Sequence, residues 1–389
     1  MLFVPNLRFS YKGDWSKRKL NEICQFFKGN GLSKSDLSNE GFPCILYGEL
    51  YTTYKNEVIS DIISKTNTTL SNPFLSRNND LIIPGSGEDP IDIAVARAIY
   101  QNDIILGGDL NILRPKSNVS AAFLSYQLNG VRRYDIAKKA QGKSIVHLHN
   151  SDLKEVLVSI PTYDEQLHIV KLLTKIDEMI QTQIKIIEDY VILKNSLINR
   201  FFTMDNPKVK LSTILTEINI KNKNKQIDTV LSVSNKLGFI KQSEQFEDRE
   251  VASDDTSNYK IVNKGDYAYN PARINVGSIA RLINYDKGII SPMYSCFKIN
   301  EKKITYTYFD MFLSSSSFKR QLNKKLEGSV RQCLTFEGLV SMDIELPCIE
   351  TQKSISNKID MLSYKIKLES DYREALINQK QFLLNNMFI

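Results

Sequence analysis

The sequence predicts an α/β (α+β) protein built from two copies of one domain, each followed by a long helix. Three observations predict this class: an internal repeat, two long stretches with helical periodicity, and short β-branched or aromatic runs separated by turn residues. We expect globular domains at residues 1–160 and 206–346, and long helices at 161–205 and 347–389.

The internal repeat has a fixed offset of 186 residues and needs no gap over its clearest part. The pairs include Gly142 with Gly328, Pro161 with Pro347, Gln166 with Gln352 and Lys194 with Lys380. Because this period is much longer than a solenoid repeat, it indicates duplication of a whole domain. Upstream the resemblance weakens, so the globular parts have diverged.

Each predicted helix carries one apolar seam and contains neither proline nor glycine. A helix of this length, about 55 Å, is longer than a domain of about 140 residues, so we expect the two helices to pair as an antiparallel coiled coil. Gln183, Glu369, Lys194 and Lys380 interrupt the seam, either as devices that fix its register or as parts of a partly hydrated seam. The predicted seam consists of Ile169, Leu173, Ile176, Ile180, Ile187, Leu197, Ile355, Ile359, Leu362, Ile366, Leu376 and Leu383.

Composition and charge exclude several protein classes. The 51 Lys+Arg against 44 Asp+Glu give a net charge of +7, and because the helices are nearly neutral, the surplus lies in the globular parts. No apolar run predicts a membrane span or a secretory signal, so we expect a cytoplasmic protein. The five scattered cysteines match neither a disulfide framework nor a zinc knuckle, so we predict reduced thiols.

The sequence offers few candidates for catalysis or metal binding. It contains no phosphate-binding loop of the G-x-x-x-x-G-K-[ST] type, and the segments at 72–74 and 270–272 lack the full Asn-Pro-Pro-aromatic motif of amino-methyltransferases. Glu301 and Lys303 have the spacing of a nuclease motif without its preceding Pro-Asp. His147 and His149 alternate on a predicted strand, where packing is the alternative to metal ligation because no third ligand is evident. We predict no catalytic residue, no metal site and no cofactor in this chain.

Two segments in each copy have residues suited to nucleic acid. A loop with lysine, glutamine, glycine and serine follows a basic helix end, and its glycine permits close approach to a phosphate, although a helix C-cap alone would also explain the glycine. A tyrosine-rich segment is expected at a strand edge, where Glu49, Asn270 and Arg273 have groups that match base edges. The predicted DNA-binding residues are Tyr47, Gly48, Glu49, Tyr51, Ser86, Lys138, Gln141, Gly142, Lys143, Ser144, Tyr269, Asn270, Arg273, Lys324, Gly328, Ser329, Arg331 and Gln332.

The chain resembles the specificity subunits of type I restriction-modification systems over nearly its whole length. The resemblance rests on the Trp-Ser-Lys-Arg-Lys-Leu segment at 15–20, the segments 41–54 and 263–273, and the Pro-then-Gln starts of both helices at 160–166 and 346–352. Thr351 and Cys348 depart from the family pattern, which has an acidic residue at the first of these positions; the departure suggests a looser helix cap there.

The resemblance implies two target-recognition domains that each read half of a bipartite, asymmetric double-stranded DNA site. The helices would set the gap between half-sites and dock two modification (methyltransferase) subunits, which up to two restriction (translocase and nuclease) subunits would join. AdoMet, ATP and Mg²⁺ would then belong to those partners, and no membrane would be involved. The alternatives are a self-contained restriction or modification enzyme and a coiled-coil adaptor that binds proteins.

Overall fold

The computed structural model describes residues 6–11, 13–203, 206–245, 255–326 and 332–389. The chain divides into two compact units, unit 1 with residues 1–185 and 370–389 and unit 2 with residues 186–369. Each unit therefore contains one globular domain and parts of both long helices. Among the helices in the described ranges, none is long and apolar enough to cross a bilayer.

Unit 1 is built on a five-stranded sheet with the order β2-β11-β7-β9-β5, beside a four-stranded sheet with the order β10-β4-β6-β3. Its strands are β1 Ser16–Lys19, β2 Cys24–Lys28, β3 Leu37–Ser38, β4 Phe42–Ile45, β5 Val58–Ile59, β6 Lys65–Thr66, β7 Asp80–Pro84, β8 Ser86–Gly87, β9 Arg97–Ile99, β10 Ile105–Leu106, β11 Leu110–Pro115, β12 Val146–His147 and β13 Leu157–Ile160. Its helices are α1 Leu20–Ile23, α2 Glu49–Thr52, α3 Pro90–Ile93, α4 Ala121–Asn129, α5 Arg133–Ala137, α6 Asn150–Lys154 and the first part of α7 Tyr163–Phe201.

Unit 2 repeats the central sheet of unit 1. Its order β15-β22-β19-β20 and its antiparallel pairings correspond to β2-β11-β7-β9. A second sheet has the order β17-β16-β21-β18. The strands are β14 Lys208–Lys210, β15 Leu215–Glu217, β16 Val230–Ser234, β17 Gly238–Lys241, β18 Lys260–Asn263, β19 Tyr267–Tyr269, β20 Ile279–Arg281, β21 Lys287–Ile290, β22 Ser295–Ile299 and β23 Asp343–Glu345. The helices are α8 Gln242–Gln245, α9 Tyr306–Ser314, α10 Ser316–Lys325, α11 Phe336–Val340 and α12 Ile349–Asn386. The predicted mixed α/β class is confirmed, and the recurring sheet order is what a duplicated domain would give.

A glutamine at the start of each long helix makes equivalent hydrogen bonds in the two copies. The Oε1 atom of Gln166 accepts from the Ser120 amide at 2.9 Å, and its Nε2 donates to the Pro161 carbonyl at 3.1 Å. The Oε1 atom of Gln352 likewise accepts from Thr305 at 2.9 Å, and its Nε2 donates to Pro347 at 2.9 Å. Both glutamines are fully buried. Because Ser120 and Thr305 are the N-caps of α4 and α9, each glutamine fixes its long helix to the helix that covers the sheet.

The residue before this glutamine differs between the copies. In unit 1 the buried carboxylate of Glu165 accepts two hydrogen bonds from Arg8, at 2.6 and 2.7 Å, and one from the Trp15 indole at 3.3 Å. In unit 2 the corresponding Thr351 is exposed, and its hydroxyl lies 3.2 Å from the Cys348 sulfur. The first copy therefore uses this position to anchor the N-terminal segment through a paired, buried charge.

The long helices begin and end close to the predicted bounds, at 163–201 and 349–386. None of the predicted seam residues is exposed. Within unit 1, Ile176, Ile180 and Leu376 form one buried cluster, so the later part of α12 lies against α7. Within unit 2, Ile198 and Ile359 belong to the same core. Pairing over the full helix length, as an antiparallel coiled coil, stays a prediction.

Candidate nucleic-acid interface

The basic loop of unit 1 is held in a defined conformation at both of its ends. The amide of Gln141 donates to the His147 carbonyl at 2.9 Å, and the amide of His147 donates to the Gln141 carbonyl at 2.7 Å. The following strand β12 then pairs with β8, with His147 opposite Ser86. The side chain of Val146 on β12 is buried in the core of unit 1 and so fixes this strand. The predicted residues Gln141, Gly142, Lys143 and Ser144 thus lie together, exposed, on a short closed loop.

Gly142 is required by the geometry of this loop. Its φ is +134°, and a Cβ atom placed there would lie 2.0 Å from the Ile145 carbonyl oxygen. The C-cap explanation does not apply, because α5 ends at Ala137, five residues earlier. The glycine therefore closes the loop itself.

The Ser86 side chain is buried beneath the loop and is not placed to contact DNA. Its side chain is 4% exposed, and its hydroxyl donates to the Asp109 carboxylate at 3.2 Å. The prediction that Ser86 binds DNA is corrected on this ground, because a buried hydroxyl with a protein partner is not available to a ligand. Its backbone pairs with the strand that carries the loop.

The segment 47–51 does not form the predicted strand edge. After β4 the chain turns at Tyr47 and Gly48 and enters the short helix α2. The Glu49 carboxylate accepts from the Leu46 amide at 2.7 Å and from the Ser64 hydroxyl, which stabilises this turn. Tyr51 is half-buried, and a Cβ atom on Gly87 would lie 3.5 Å from its hydroxyl. Tyr51 is therefore close to the base of the loop, and contacts of this segment with bases stay a prediction.

In unit 2 the structure separates the predicted residues. Tyr269 has no exposed surface, and its hydroxyl donates to the Leu334 carbonyl at 3.3 Å. Burial raises the pKa of Tyr269 to about 12. The prediction that Tyr269 binds DNA is therefore wrong, because its side chain points into the core. The Asn270 amide oxygen accepts from the Ala272 amide at 3.0 Å, whereas Arg273 is exposed. Both line a cavity of about 270 Å³.

The second basic loop lies partly outside the described residues. Gly328, Ser329 and Arg331 belong to the part of the chain that the structure does not describe, whereas Lys324 and Gln332 are exposed on either side of it. Its far end is held as in the first copy. The amide of Leu334 donates to the Pro271 carbonyl at 3.1 Å, and the amide of Leu148 donates to the Gly85 carbonyl at 2.9 Å. Leu334 lies 186 positions after Leu148, and Pro271 lies 186 positions after Gly85, so the two hydrogen bonds join corresponding residues.

Two exposed apolar side chains, one on the helix that precedes the first loop and one in the loop, were not predicted from the sequence. Tyr134 is 70% exposed on α5, and Ile145 is 57% exposed at the loop tip. Neither position breaks a periodic pattern, so the sequence alone gives no signal for them. The rings of His147 and His149 stack at 6.2 Å. Within the described ranges, no group of three or more His, Cys, Asp or Glu side chains is placed to hold a metal ion.

Comparison with known proteins relates this architecture to one family. Residues 12–189 match the family model described as "Type I restriction modification DNA specificity domain". The chain carries a type I specificity domain. The match begins before β1 and ends inside α7, so the specificity domain comprises the globular copy that holds the basic loop together with the first part of its long helix.

Relatives extend the likeness beyond this specificity domain. The MjaVIII and putative MjaX type I specificity subunits of Methanocaldococcus jannaschii are 21% and 22% identical to this chain. The alignments cover 96% of this chain and 91% and 92% of the two relatives. The fold is also that of the type I restriction-modification S subunit from M. genitalium, with a TM-score of 0.59, 15% identity and 99% of each chain covered. A chain from a structure described as concerning complex assembly and conformational transition of the type I R-M system has a TM-score of 0.62, with 13% identity over 97% of this chain and 98% of that one.

Proposed function

We propose that this chain is the DNA-recognition subunit of a type I restriction-modification complex, in which each copy of the domain reads one half of a bipartite, asymmetric site. One observation carries the proposal beyond the family likeness. In both copies the same backbone hydrogen bond, Leu148 to Gly85 and Leu334 to Pro271, holds the far end of a basic loop. Two equivalent supports with different loops are what two readers of different sequences require.

The charges of the first loop favour DNA as the ligand. Lys138 and Lys143 are exposed, and neither forms an ion pair with any described residue. Exposed lysines without partners can replace counterions on phosphates, while Gln141 and Ser144 beside them have donors and acceptors for base edges. Tyr134 and Ile145 add apolar surface of the kind that packs on sugars or bases.

The long helices are proposed as the spacer between half-sites and as the docking surface for two modification subunits. In unit 2 both helices expose large apolar side chains, which are expected at a partner interface. These are Val191, Ile192, Leu193, Met361, Tyr364 and Leu368. Methyl transfer, with AdoMet, and DNA cleavage, with ATP and Mg²⁺, would be performed by the modification subunits and by up to two restriction subunits, with no catalytic residue in this chain.

The proposal is tested by DNA binding of the full chain assembled with its methyltransferase. Methylation mapping of a host genome supplies the site, and fluorescence anisotropy compares that site with duplexes in which one half-site is scrambled. We expect specific binding at least about 10³-fold tighter than binding to scrambled DNA, and a steep loss of affinity with salt. Equal affinity for all duplexes, or affinity independent of salt, would contradict a role in recognition and favour the protein-binding adaptor.

The spacer role has its own test. Inserting one helical turn of four residues within 165–202 adds about 6 Å, which corresponds to about two base pairs of DNA. We expect methylation mapping to show a changed gap with both half-sites retained. A change in the half-site sequences would show that the helices and the readers are not independent modules.

A further inference from the structure

A buried ion cluster joins the end of α12 to α7 and to the sheet domain of unit 1. The ammonium of Lys380 lies 2.6 Å from the Glu57 carboxylate and 2.6 Å from the Asp177 carboxylate. Glu57 precedes β5, Asp177 lies on α7 and Lys380 lies on α12. Glu57 and Asp177 are 6% and 5% exposed. Charged side chains from three separate elements therefore lie in contact, and we call this group the buried ion cluster (Glu57, Asp177, Lys380).

The surroundings act on both charged partners of this cluster: burial raises the pKa of Asp177, and the carboxylates favour the charge of Lys380. The Tyr126 hydroxyl donates to the second Asp177 oxygen at 2.7 Å, and the Lys380 ammonium lies 5.6 Å from the Tyr126 ring. Burial by itself lowers the pKa of Lys380, but the two carboxylates outweigh it and hold that pKa above its usual value. Arg97, which is also buried, acts electrostatically on Glu57 and Asp177. Two positive groups thus balance two negative groups.

Such a cluster gives positional specificity rather than net stability. Burying charges costs desolvation, and apolar residues of similar size would pack at least as favourably. An apolar seam made of repeated isoleucine and leucine can slide by a turn and pack again. The ion cluster cannot, because a shift of α12 by three or four residues would place an apolar side chain opposite the two carboxylates. The candidates are Leu376, Ile377, Leu383 and Leu384.

The part of the second copy that the structure describes has no equivalent ion cluster. At the offset of 186 residues, Lys380 corresponds to Lys194, but Asp177 corresponds to Ser363 and Tyr126 to Phe312. Lys194 forms no ion pair with any residue in the described ranges. The duplication therefore retained both lysines, whereas the aspartate of the first copy is a serine in the second.

We propose that Lys380 is a positioning residue that fixes the axial register of α12 on unit 1, so that the gap between half-sites is set at this end of the spacer. This inference rests on the proposed function, because it assigns the setting of the gap to one contact of the helical spacer. Lys380 touches no DNA in this proposal and acts through the helix that carries it.

The experiment uses the full chain assembled with its methyltransferase and a set of duplexes with fixed half-sites and gaps longer or shorter by one or two base pairs. The readout is the ratio of methylation rates on the preferred gap and on the other gaps. For K380M we expect this ratio to fall on the order of tenfold, with discrimination against altered half-sites unchanged. K380R should restore the ratio, and the matched control K194M should leave it at the wild-type value.

A second variant separates positioning from folding. In the double variant D177N/K380M one negative and one positive charge are removed together, and Glu57 remains to balance Arg97, so the fold keeps its stability while the register constraint is lost. We expect its gap ratio to fall as in K380M. A wild-type ratio in both variants would overturn the inference and leave the recognition role untouched. A wild-type chain that methylates all gaps equally would instead overturn the spacer model itself.

Discussion

Replacing Gly142 with alanine tests whether the closed loop of unit 1 is needed for DNA binding. At φ +134° an alanine is strained by about 1–3 kcal/mol. Its Cβ would also lie 2.0 Å from the Ile145 carbonyl oxygen, so the backbone must move. Breaking the two backbone hydrogen bonds between Gln141 and His147 costs about 0.5–1.5 kcal/mol for each bond. The native loop conformation should therefore be disfavoured by about 2–6 kcal/mol.

The expected result is a loss of DNA affinity with little loss of global stability. A penalty of this size makes the native loop a minor conformation, so affinity should fall at least about tenfold. The domain itself should melt within a few degrees of the wild type, since the loop lies at the surface and can rearrange locally. Anisotropy titrations and thermal unfolding measure the two quantities. Gly108→Ala is the matched control, because its Cβ would meet nothing nearer than 3.8 Å. A folded G142A variant with wild-type affinity would refute the role of the loop.

Three further changes have separate outcomes. Lys143→Ala should weaken binding to all duplexes alike and reduce the slope of log affinity against log salt by about one; an unchanged slope would show that Lys143 contacts no phosphate. Gln166→Ala leaves two buried backbone groups, of Ser120 and Pro161, and the Asn118 carbonyl without their partner, and it should lower the free energy of unfolding of unit 1 by about 2–4 kcal/mol in urea titrations. A cost below about 0.5 kcal/mol, as for the exposed Gln379→Ala, would show that the glutamine is dispensable. Alkylation with iodoacetamide at pH 8, read by mass spectrometry, should modify exposed Cys348 in the native protein. It should spare the buried Cys24, Cys44 and Cys296, because burial raises the pKa of these thiols to about 12, 11 and 12. Rapid modification of these three cysteines would contradict the packed cores around them.

The repeat made the architecture predictable, because an offset that needs no gap reports two equivalent domains without any knowledge of their folds. Helix periodicity likewise placed the ends of α7 and α12 within a few residues of 161–205 and 347–389. What the sequence could not supply was the direction in which single side chains point. Tyr269 and Arg273 lie in one short segment, yet one is fully buried and the other exposed. All three residues of β19 are buried because both faces of this strand are covered, and Arg273 lies beyond the strand's end, so alternation along the sequence predicts neither position.

The error at residues 47–51 has a different cause. Aromatic and β-branched residues around Tyr47 favour a strand, but the Glu49 side chain accepts hydrogen bonds from Leu46 and Ser64 and so stabilises a turn into α2. One partner lies three residues away and the other fifteen, and the second contact exists only in the folded chain. Local propensity is therefore overruled by a tertiary hydrogen bond, which no window of sequence around Glu49 contains.

The supports of the two basic loops explain how such a protein can change its loops without changing its fold. The bonds from Leu148 to Gly85 and from Leu334 to Pro271 join backbone atoms, so they place no demand on the side chains near them. A glycine in one copy and a proline in the other accept equally, since proline lacks an amide proton but keeps its carbonyl. The side-chain contacts that recur, at Gln166 and Gln352, lie instead where the long helices begin. Substitutions in the loops should therefore alter which DNA is bound, whereas substitutions at the helix starts should alter whether each unit folds.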